Sequence, residues 1–463
     1  MTTTTHHDLV VIGSGSGNMV TDDSFKNLDV AIIEDRRVGG TCLNFGCIPS
    51  KLLAYTAEVA ETVTSAGSFG VDADLRSINW VEVRDRVFGH TDHVSDGGRR
   101  GREKSDWITL YAGHARFTGP RQLSVDTEDG QSTVITADRI VIACGGRPVV
   151  PPVVAESGLP YETSDTVMRV DAPPKRLAVL GGGYIAAELA RVFATVGSHI
   201  TIIERGEHLL GGPQDDDIRV AFTDLMAQRH DLRLGTELTE LSGTPGDLLL
   251  TLDDGSTVQA DMLLVASGRT SNADRLDVDV AGIETHDSGR IKVDEFCRTS
   301  VEGIFALGDV STSVPLKHVA NREAEVVAHN LHNPNDLRRV DLDHVPSAVF
   351  TDPQIASVGR TERDCRDADV KYVVGKVDYS DVAYGWALQD DTGFCKVIVD
   401  EDTDLVLGAH IMGPQASTLI QTLVLAIEFD ITATDLSRRP FWIHPALTEV
   451  IDNALRNIEP KAA

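Results

Sequence analysis

A chain of 463 residues has room for about three domains of ordinary size, and its 41% hydrophobic and 24% charged residues are those of a globular protein, not of a disordered or fibrous one. Its 71 acidic residues against 42 basic ones leave a net charge of −29, which argues against nucleic acid and anionic membrane as partners, because both need a basic footprint. The longest apolar runs are too short to span a bilayer, and MTTTTHHDLV at the start lacks the basic lead and apolar core of a secretion signal, so a cytoplasmic protein is expected.

The first element is DLVVIGSGSGN, residues 8–18, an apolar run ending in a glycine cluster. The run reads as a buried strand. Gly13 and Gly15 fit the first two glycines of G-x-G-x-x-G, one making the tight turn and the other letting the backbone approach a pyrophosphate. Asn18 stands where the third glycine belongs, and the TDDSFKNL that follows is a poor helix former. The next strand, DVAIIE, ends at Glu34, where a carboxylate can accept hydrogen bonds from a ribose diol. Alone, the motif also fits a glycine-rich turn in any α/β protein.

GGTCLNFGCIPSK follows, residues 39–51, and holds the one local pair among the six cysteines. Cys144 and Cys395 lie in strand-like apolar runs and read as small buried hydrophobes, while Cys297 and Cys365 are scattered. Zinc needs four ligands, or three and a water; C-x4-C is not a usual zinc spacing, the histidines of HTDH (90–93) read as solvated loop, and no metal is expected. A disulfide is the other option. In a regular helix, Cα atoms five apart are about 8–9 Å from each other, whereas a disulfide needs about 4.4–6.8 Å. A bridged Cys42 and Cys47 therefore exclude regular helix over 42–47, and Gly39, Gly40, Asn44, Gly46 and Pro49 supply the irregular backbone. So small a ring adds little as a staple, and a reducing cytosol would open it, so a pair cycling between disulfide and dithiol explains the motif better. Further on, DGGRRGREKS (96–105) reads as a polar, mobile surface turn.

RLAVLGGGYIAAELARVFATVGSHITIIERG, residues 176–206, repeats the strand, glycine loop, helix and strand, with Gly181 and Gly183 at the turn, Ala186 for the third glycine and Glu204 at the strand end. A longer repeat supports it: DGQSTVITADRIVIACGGRP (129–148) and DGSTVQADMLLVASGRT (254–270) share a D-G hairpin signal, a polar strand, an A-D step, an apolar strand and a small-residue exit. Two duplicated dinucleotide-binding domains imply two dinucleotides, a flavin and a nicotinamide passing electrons. Near the end, ASTLIQTLVLAIEF (416–429) is a helix apolar on more than one side, as a dimer-buried helix would be.

GGTCLNFGCIPSK resembles the redox-active motif of the pyridine nucleotide–disulfide oxidoreductases, the family of glutathione reductase and lipoamide dehydrogenase, and the resemblance runs through TSVEGIFALGDV (299–310), ASGRTSN, VPSAVFTDPQIASVGRTE (345–362) and HPALTE (444–449). It implies an α/β fold with two Rossmann-like domains and a C-terminal α+β dimerisation domain. An FAD-binding domain would cover 1–150 and 273–338, an NAD(P)-binding domain 151–272, and the interface domain 339–463. Cys47 would lie against the flavin as the charge-transfer thiolate, and Cys42 would attack the substrate disulfide. Lys51 would pair with Glu188 near the flavin's reactive edge, and Tyr184 would cover the nicotinamide pocket. His444, oriented by Glu449, would be acid and base, reaching the site from the other subunit of an obligate homodimer. The resemblance places FAD on Gly13, Gly15, Glu34, Gly40, Thr41, Lys51, Ala115, Asp309 and Ala320, and the nicotinamide on Gly181, Gly183, Glu204, Arg205, Gly268 and Arg269.

Within the family, GSGSGN, SDTVMRV (164–170), PLKHVANRE (315–323), DYSDVAYGWALQD (378–390) and FWIHPALTEV (441–450) are similar to the mycothione reductase branch. That likeness implies the disulfide of mycothiol, a cysteinyl glucosamine–inositol thiol, as the small-molecule substrate. Tyr384, Trp386 and Trp442 could cradle its sugars, or be core or interface aromatics. The absence of cysteine after Cys395 argues against members with a C-terminal redox pair. Three other readings stay open: a lipoamide dehydrogenase docked on a multienzyme complex, a reductase of another low-molecular-weight disulfide, and a flavin-binding sensor without turnover. Glu204 favours NADH and Arg205 NADPH; the branch resemblance tips the expectation to NADPH, with NADH possible.

Overall fold

The computed structural model describes residues 4–127, 130–212 and 214–458. The apolar runs that open the two repeats become central strands of parallel sheets, covered on both faces, which is why they read as continuous hydrophobic stretches. In the first sheet the parallel order is Ile108–Gly119, Val30–Glu34, Thr4–Ile12, Ser132–Ile142 and Ile304–Ala306. Gln122–Thr127 bridges the far ends of Ile108–Gly119 and Ser132–Ile142 in antiparallel pairing. The chain thus leaves this sheet after residue 142 and returns for the edge strand Ile304–Ala306.

In between it builds the second sheet, in the order Asp231–Leu234, His199–Glu204, Arg176–Leu180, Met262–Val265 and Glu162–Thr163. Beside it lies a three-stranded antiparallel sheet of Leu238–Thr244, Asp247–Leu252 and Thr257–Ala260. Gly13 and Gly181 occupy matching places, at φ +100° and +109°. A Cβ on Gly13 would sit 2.3 Å from the Ala143 carbonyl oxygen, and one on Gly181 2.5 Å from that of Ala266. Only glycine lets each loop turn under the strand beside it.

The repeats differ in three ways. Helix Tyr184–Thr195 follows the second loop, whereas only short turns, Ser16–Met19 and Asp23–Phe25, follow the first, as its poor helix formers predict. The close-packing glycine of the first loop is not missing but comes one residue early. A Cβ on Gly17 would lie 2.9 Å from both Ala143 Cβ and Val11 Cγ1, while Asn18 turns its amide back to the Ser14 carbonyl. Third, Ser132–Ile142 runs unbroken through its Ala-Asp step, while Thr257–Ala260 and Met262–Val265 are separate strands, because Asp261 turns aside to bind Arg176 through its backbone N–H and guanidinium. The second D-G turn lies at Asp254–Gly255 between strands; Asp129 of the first lies outside the described residues.

The third unit is a five-stranded antiparallel sheet, Ser347–Val349, Ile355–Gly359, Val406–Met412, Phe394–Asp400 and Tyr372–Asp378. Helix Ala416–Glu428 packs on it through Leu419, Ile420 and Leu423, yet leaves Leu425 54% exposed, with Phe429 beyond its end 68% exposed. The sheet is tied to the second domain by Lys396. Its buried ammonium sits among the carboxylates of Asp215, Asp217 and Glu362, so this cluster of three acids is filled by a lysine. The architecture is two dinucleotide-type α/β units and an α+β unit.

Two loop expectations fail. HTDH and all of DGGRRGREKS but its last two residues lie on helix Trp80–Glu103. Asn79 caps it by accepting the Glu82 N–H, Trp80, Val87, Phe88, Thr91 and Ser95 form its buried stripe, and Arg100 and Arg102 sit favourably in its last turn. The glycines that suggested a turn are accommodated because Gly98 packs closely on Val38. Cys144 also departs from expectation. Cys395 is buried in a strand, but Cys144 follows Ser132–Ile142 and faces the main cavity.

Candidate active site

The redox segment forms a short helix, Gly40–Asn44, that breaks at Phe45 and Gly46 before Cys47–Ser65 begins. The break falls between the two cysteines, as the spacing argument requires. Asn44 holds it: fully buried, its amide donates to the carbonyls of Arg37, Val38 and Gly40 at 3.4, 3.1 and 3.0 Å. Ser95 on helix Trp80–Glu103 donates to the same Val38 carbonyl at 2.6 Å, so the helix read as loop braces the redox segment.

Both cysteines are free thiols, and Cys42 donates a hydrogen bond to Cys47. That bond raises the Cys42 pKa, helped by burial. It lowers Cys47 to about 7, against the opposing effect of burial and with further help from the Lys51 ammonium. Cys47 is also the first residue of a 19-residue helix, where the backbone N–H groups favour an anion. The pair is built to carry one negative charge, on Cys47, and one proton, on Cys42.

One turn further on, Lys51 forms an ion pair with Glu188 of helix Tyr184–Thr195. The second oxygen of Glu188 accepts the Phe350 backbone N–H at 2.9 Å, and the Phe350 ring lies 4.5 Å under the lysine ammonium. Phe350 is a contact that the sequence did not reveal.

A cavity of about 1240 Å³ opens in front of these groups. Its walls come from the first glycine loop (Gly13, Gly15), the first sheet (Glu34, Ala115), the redox segment (Gly40, Thr41, Cys42, Cys47, Lys51), the second domain (Gly183, Tyr184, Glu188) and the returning segment (Arg269, Asp309, Ala320). An elongated dinucleotide fits this donor set. The wall holds bare glycine backbone, a carboxylate at a strand end and a second acid on a turn. Glu34 accepts from Ser14 N–H at 2.9 Å, from Ser14 Oγ at 2.5 Å and from Arg36 N–H at 3.0 Å, and burial raises its pKa. Asp309 lies 3.6 Å from Arg269, on a turn whose Gly308 N–H is held by buried Glu323 at 2.6 Å. Burial likewise raises the Tyr184 pKa.

Other expected residues lie elsewhere. Glu204 repeats the Glu34 arrangement in the second domain, accepting Gly182 N–H at 2.5 Å and Gly206 N–H at 2.8 Å, beside Gly181. Arg205 is largely exposed, 4.0 Å from Glu237, and the Gly268 carbonyl accepts Val149 N–H. His444 Nδ1 lies 2.8 Å from Glu449 Oε1, so the expected pair forms, but His444 is 71% exposed and does not line the cavity of its own chain. Phe441 and Ile443 beside it are more exposed still. Tyr384 and Trp386 sit on the short helix Ala383–Leu388, and Trp442 packs on the core of the third unit; none lines the cavity. Lys317 and Ser16, which do line it, were not singled out from the sequence.

Residues 7–324 match the family described as pyridine nucleotide-disulphide oxidoreductase, and residues 345–455 match its dimerisation domain. The chain is 45% identical over 457 residues to a mycothione reductase of Mycobacterium tuberculosis, covering 97% of this chain and 98% of that one. It is 35% identical to a dihydrolipoyl dehydrogenase of Haloferax volcanii, covering 97% and 96%, and 33% identical to a glutathione reductase of Burkholderia cepacia, covering 96% and 97%. In fold it is similar to the HOCl-induced flavoprotein disulfide reductase RclA of Escherichia coli, with a TM-score of 0.85 at 25% identity, over 98% of this chain and all of that one. A coupled thiol pair at the head of a helix, facing a dinucleotide-sized cavity between two duplicated nucleotide domains, agrees with these matches: the chain is an NAD(P)H-dependent disulfide oxidoreductase and belongs to the pyridine nucleotide-disulphide oxidoreductase family.

Proposed function

We propose that this enzyme reduces the disulfide of mycothiol to two thiols, drawing electrons from NADPH, and that it works as an obligate homodimer in the cytoplasm. The substrate assignment rests on the 45% identity to the mycobacterial mycothione reductase over nearly all of both chains, above that to the dihydrolipoyl dehydrogenase and glutathione reductase compared with it. The family's cofactors are FAD and a nicotinamide. FAD would be held by the first glycine loop, Glu34, the redox segment and Asp309, and would supply the transfer of two electrons from the nicotinamide to the cysteine pair. The three large sheets, of six, five and five strands, support the division of the chain into an FAD-binding domain (1–150, 273–338), an NAD(P)-binding domain (151–272) and an interface domain (339–463). Among the described residues no helix is long and apolar enough to cross a membrane.

The residues then divide the chemistry. Cys42 gives up its proton to a base, and its thiolate attacks one sulfur of the substrate disulfide. The substrate S–S bond breaks and a mixed disulfide forms on Cys42. His444 of the partner subunit, its Nδ1 held by Glu449, is that base and returns the proton to the departing thiolate. Cys47, as its thiolate, attacks the Cys42 sulfur, re-forms the Cys42–Cys47 bond and expels the second product as a thiolate, which takes a proton from solvent. Lys51 and Glu188 neutralise each other beside the thiolate, and Tyr184 covers the face where the nicotinamide enters. Glu204, with both oxygens engaged by backbone, fits a ribose diol, while exposed Arg205, only loosely paired with Glu237 at 4.0 Å, would turn to meet a 2′-phosphate.

The test is steady-state oxidation of NADPH and NADH by the purified flavoprotein with mycothiol disulfide, glutathione disulfide and lipoamide side by side. Turnover confined to mycothiol disulfide with NADPH is expected. Dominant lipoamide turnover with NADH would overturn the substrate assignment.

A further inference from the structure

The charges around the cysteines do not cancel. Lys51 is matched by Glu188 and Arg269 by Asp309. Lys317, on the wall of the same cavity, has no carboxylate within 4.0 Å among the described residues, in a chain with 71 acids to 42 bases. Its ammonium donates at 2.8 Å to Ser16 Oγ, a neutral group in the first glycine loop, which donates in turn to Asn321 Oδ1 at 3.1 Å. A half-buried lysine held by a hydroxyl and aimed into a cavity needs an anion in that cavity. Lys317 is also the first residue of helix Lys317–His332, where a cation is disfavoured by the helix dipole, so local helix energetics do not account for it.

We propose that Lys317 is the counter-ion of the single negative charge on the reduced Cys42–Cys47 pair. This rests on the reading that the two cysteines cycle between disulfide and dithiol. Oxidised, the pair is neutral; reduced, with one proton on Cys42, it carries one negative charge, and Lys51, the stronger cation on Cys47, is already balanced by Glu188. Lys317 adds a charge that no acid offsets, and its field favours ionisation of both thiols. The charged and titratable groups facing Cys47 are Cys42 and Lys51 from the redox segment, Tyr184 and Glu188 from the second domain, the Arg269–Asp309 pair, and Lys317. Of these, Lys317 is the one cation without an acidic partner.

The test uses the purified flavoprotein carrying Cys42→Ser, which keeps a hydroxyl donor beside Cys47. Cys297, Cys365 and Cys395 are buried, and Cys144, which faces the cavity, is followed as a separate peptide. Alkylation of Cys47 by iodoacetamide is followed against pH and localised by mass spectrometry, with flavin content measured in parallel. Lys317→Gln and Lys317→Met are each expected to raise the midpoint by about one pH unit, slowing alkylation at neutral pH about fivefold, and Lys317→Arg to restore it. An unchanged midpoint in both neutral variants overturns the proposal. So does lowered flavin content with an unchanged midpoint, which assigns the ammonium to the cofactor. The redox reading fails separately, if NADPH exposes no new thiols in the wild-type protein.

Discussion

Lys51 and Glu188, 137 residues apart, form an ion pair directly behind the redox cysteines, and the second oxygen of Glu188 holds the backbone of Phe350. One carboxylate thus joins the helix that carries Cys47, the second nucleotide domain and the sheet domain beside the proposed site. Glu188 is buried while Lys51 keeps about a third of its side chain open to the cavity.

Glu188→Gln removes the charge and keeps the shape. The expected cost is about 1–3 kcal/mol, below that of breaking a fully buried pair because Lys51 stays partly solvated. It should appear as a lower denaturant midpoint at unchanged slope. No shift in the midpoint would mean that the pair is energetically idle.

Cys42→Ser and Cys47→Ser should both abolish disulfide turnover, but differently. Cys42→Ser keeps Cys47 able to ionise and stay a thiolate beside the flavin; Cys47→Ser leaves a Cys42 thiol without its hydrogen-bond acceptor thiolate. Absorbance of the isolated flavoproteins against pH separates them: a long-wavelength thiolate band should titrate in Cys42→Ser, below the ordinary thiol value, and be absent in Cys47→Ser. Normal turnover in either variant would sink the assignment.

The same asymmetry gives a pH dependence of stability. In the reduced protein the folded pKa of Cys47, about 7, lies below its ordinary value of 9.0. A depressed pKa contributes stability that is fully present above the ordinary value and is lost as pH falls through the folded one. The dithiol form should therefore gain melting temperature as pH rises from about 7 to about 9. Above that range Cys42, raised by its bond to Cys47 and by burial, works in the opposite direction. Calorimetry of reduced wild type against reduced Cys47→Ser checks this, and equal slopes in the two would refute it.

His444→Ala should lower disulfide turnover by about 10²- to 10⁴-fold, the usual worth of a positioned acid–base group. Because His444 does not line its own cavity, mixed dimers of His444→Ala and Cys42→Ser should regain activity, since one of their two sites has both residues intact. Failure of every mixture to recover activity would place the histidine outside the other subunit's site.

Leu425 and Phe429 leave an apolar face on the third unit, and Phe441 is wholly exposed near His444. Leu425→Asp should put a charge into a dimer seam and yield inactive monomers by light scattering. An active dimer would show that the face lies outside the contact.

Much of this site could be read directly from the chain. The buried strands, the two glycine turns, the acids at the strand ends and the break between Cys42 and Cys47 follow from residues within a few positions of one another, because backbone sterics and local hydrogen bonding act at that range. Helix Trp80–Glu103 is illegible for the same reason: its glycines look like a turn locally, and packing on Val38 favours the helix that the Asn79 cap begins. The family resemblance named Lys51 and Glu188 together; the sequence alone could not show that Phe350 takes the other oxygen, that Gly17 does the work expected at Asn18, or that Lys317 reaches Ser16 across 301 residues with no acid among the described residues within 4.0 Å. Those contacts depend on how three domains close on one cavity, where burial makes an unmatched charge costly and so gives each polar partner its meaning.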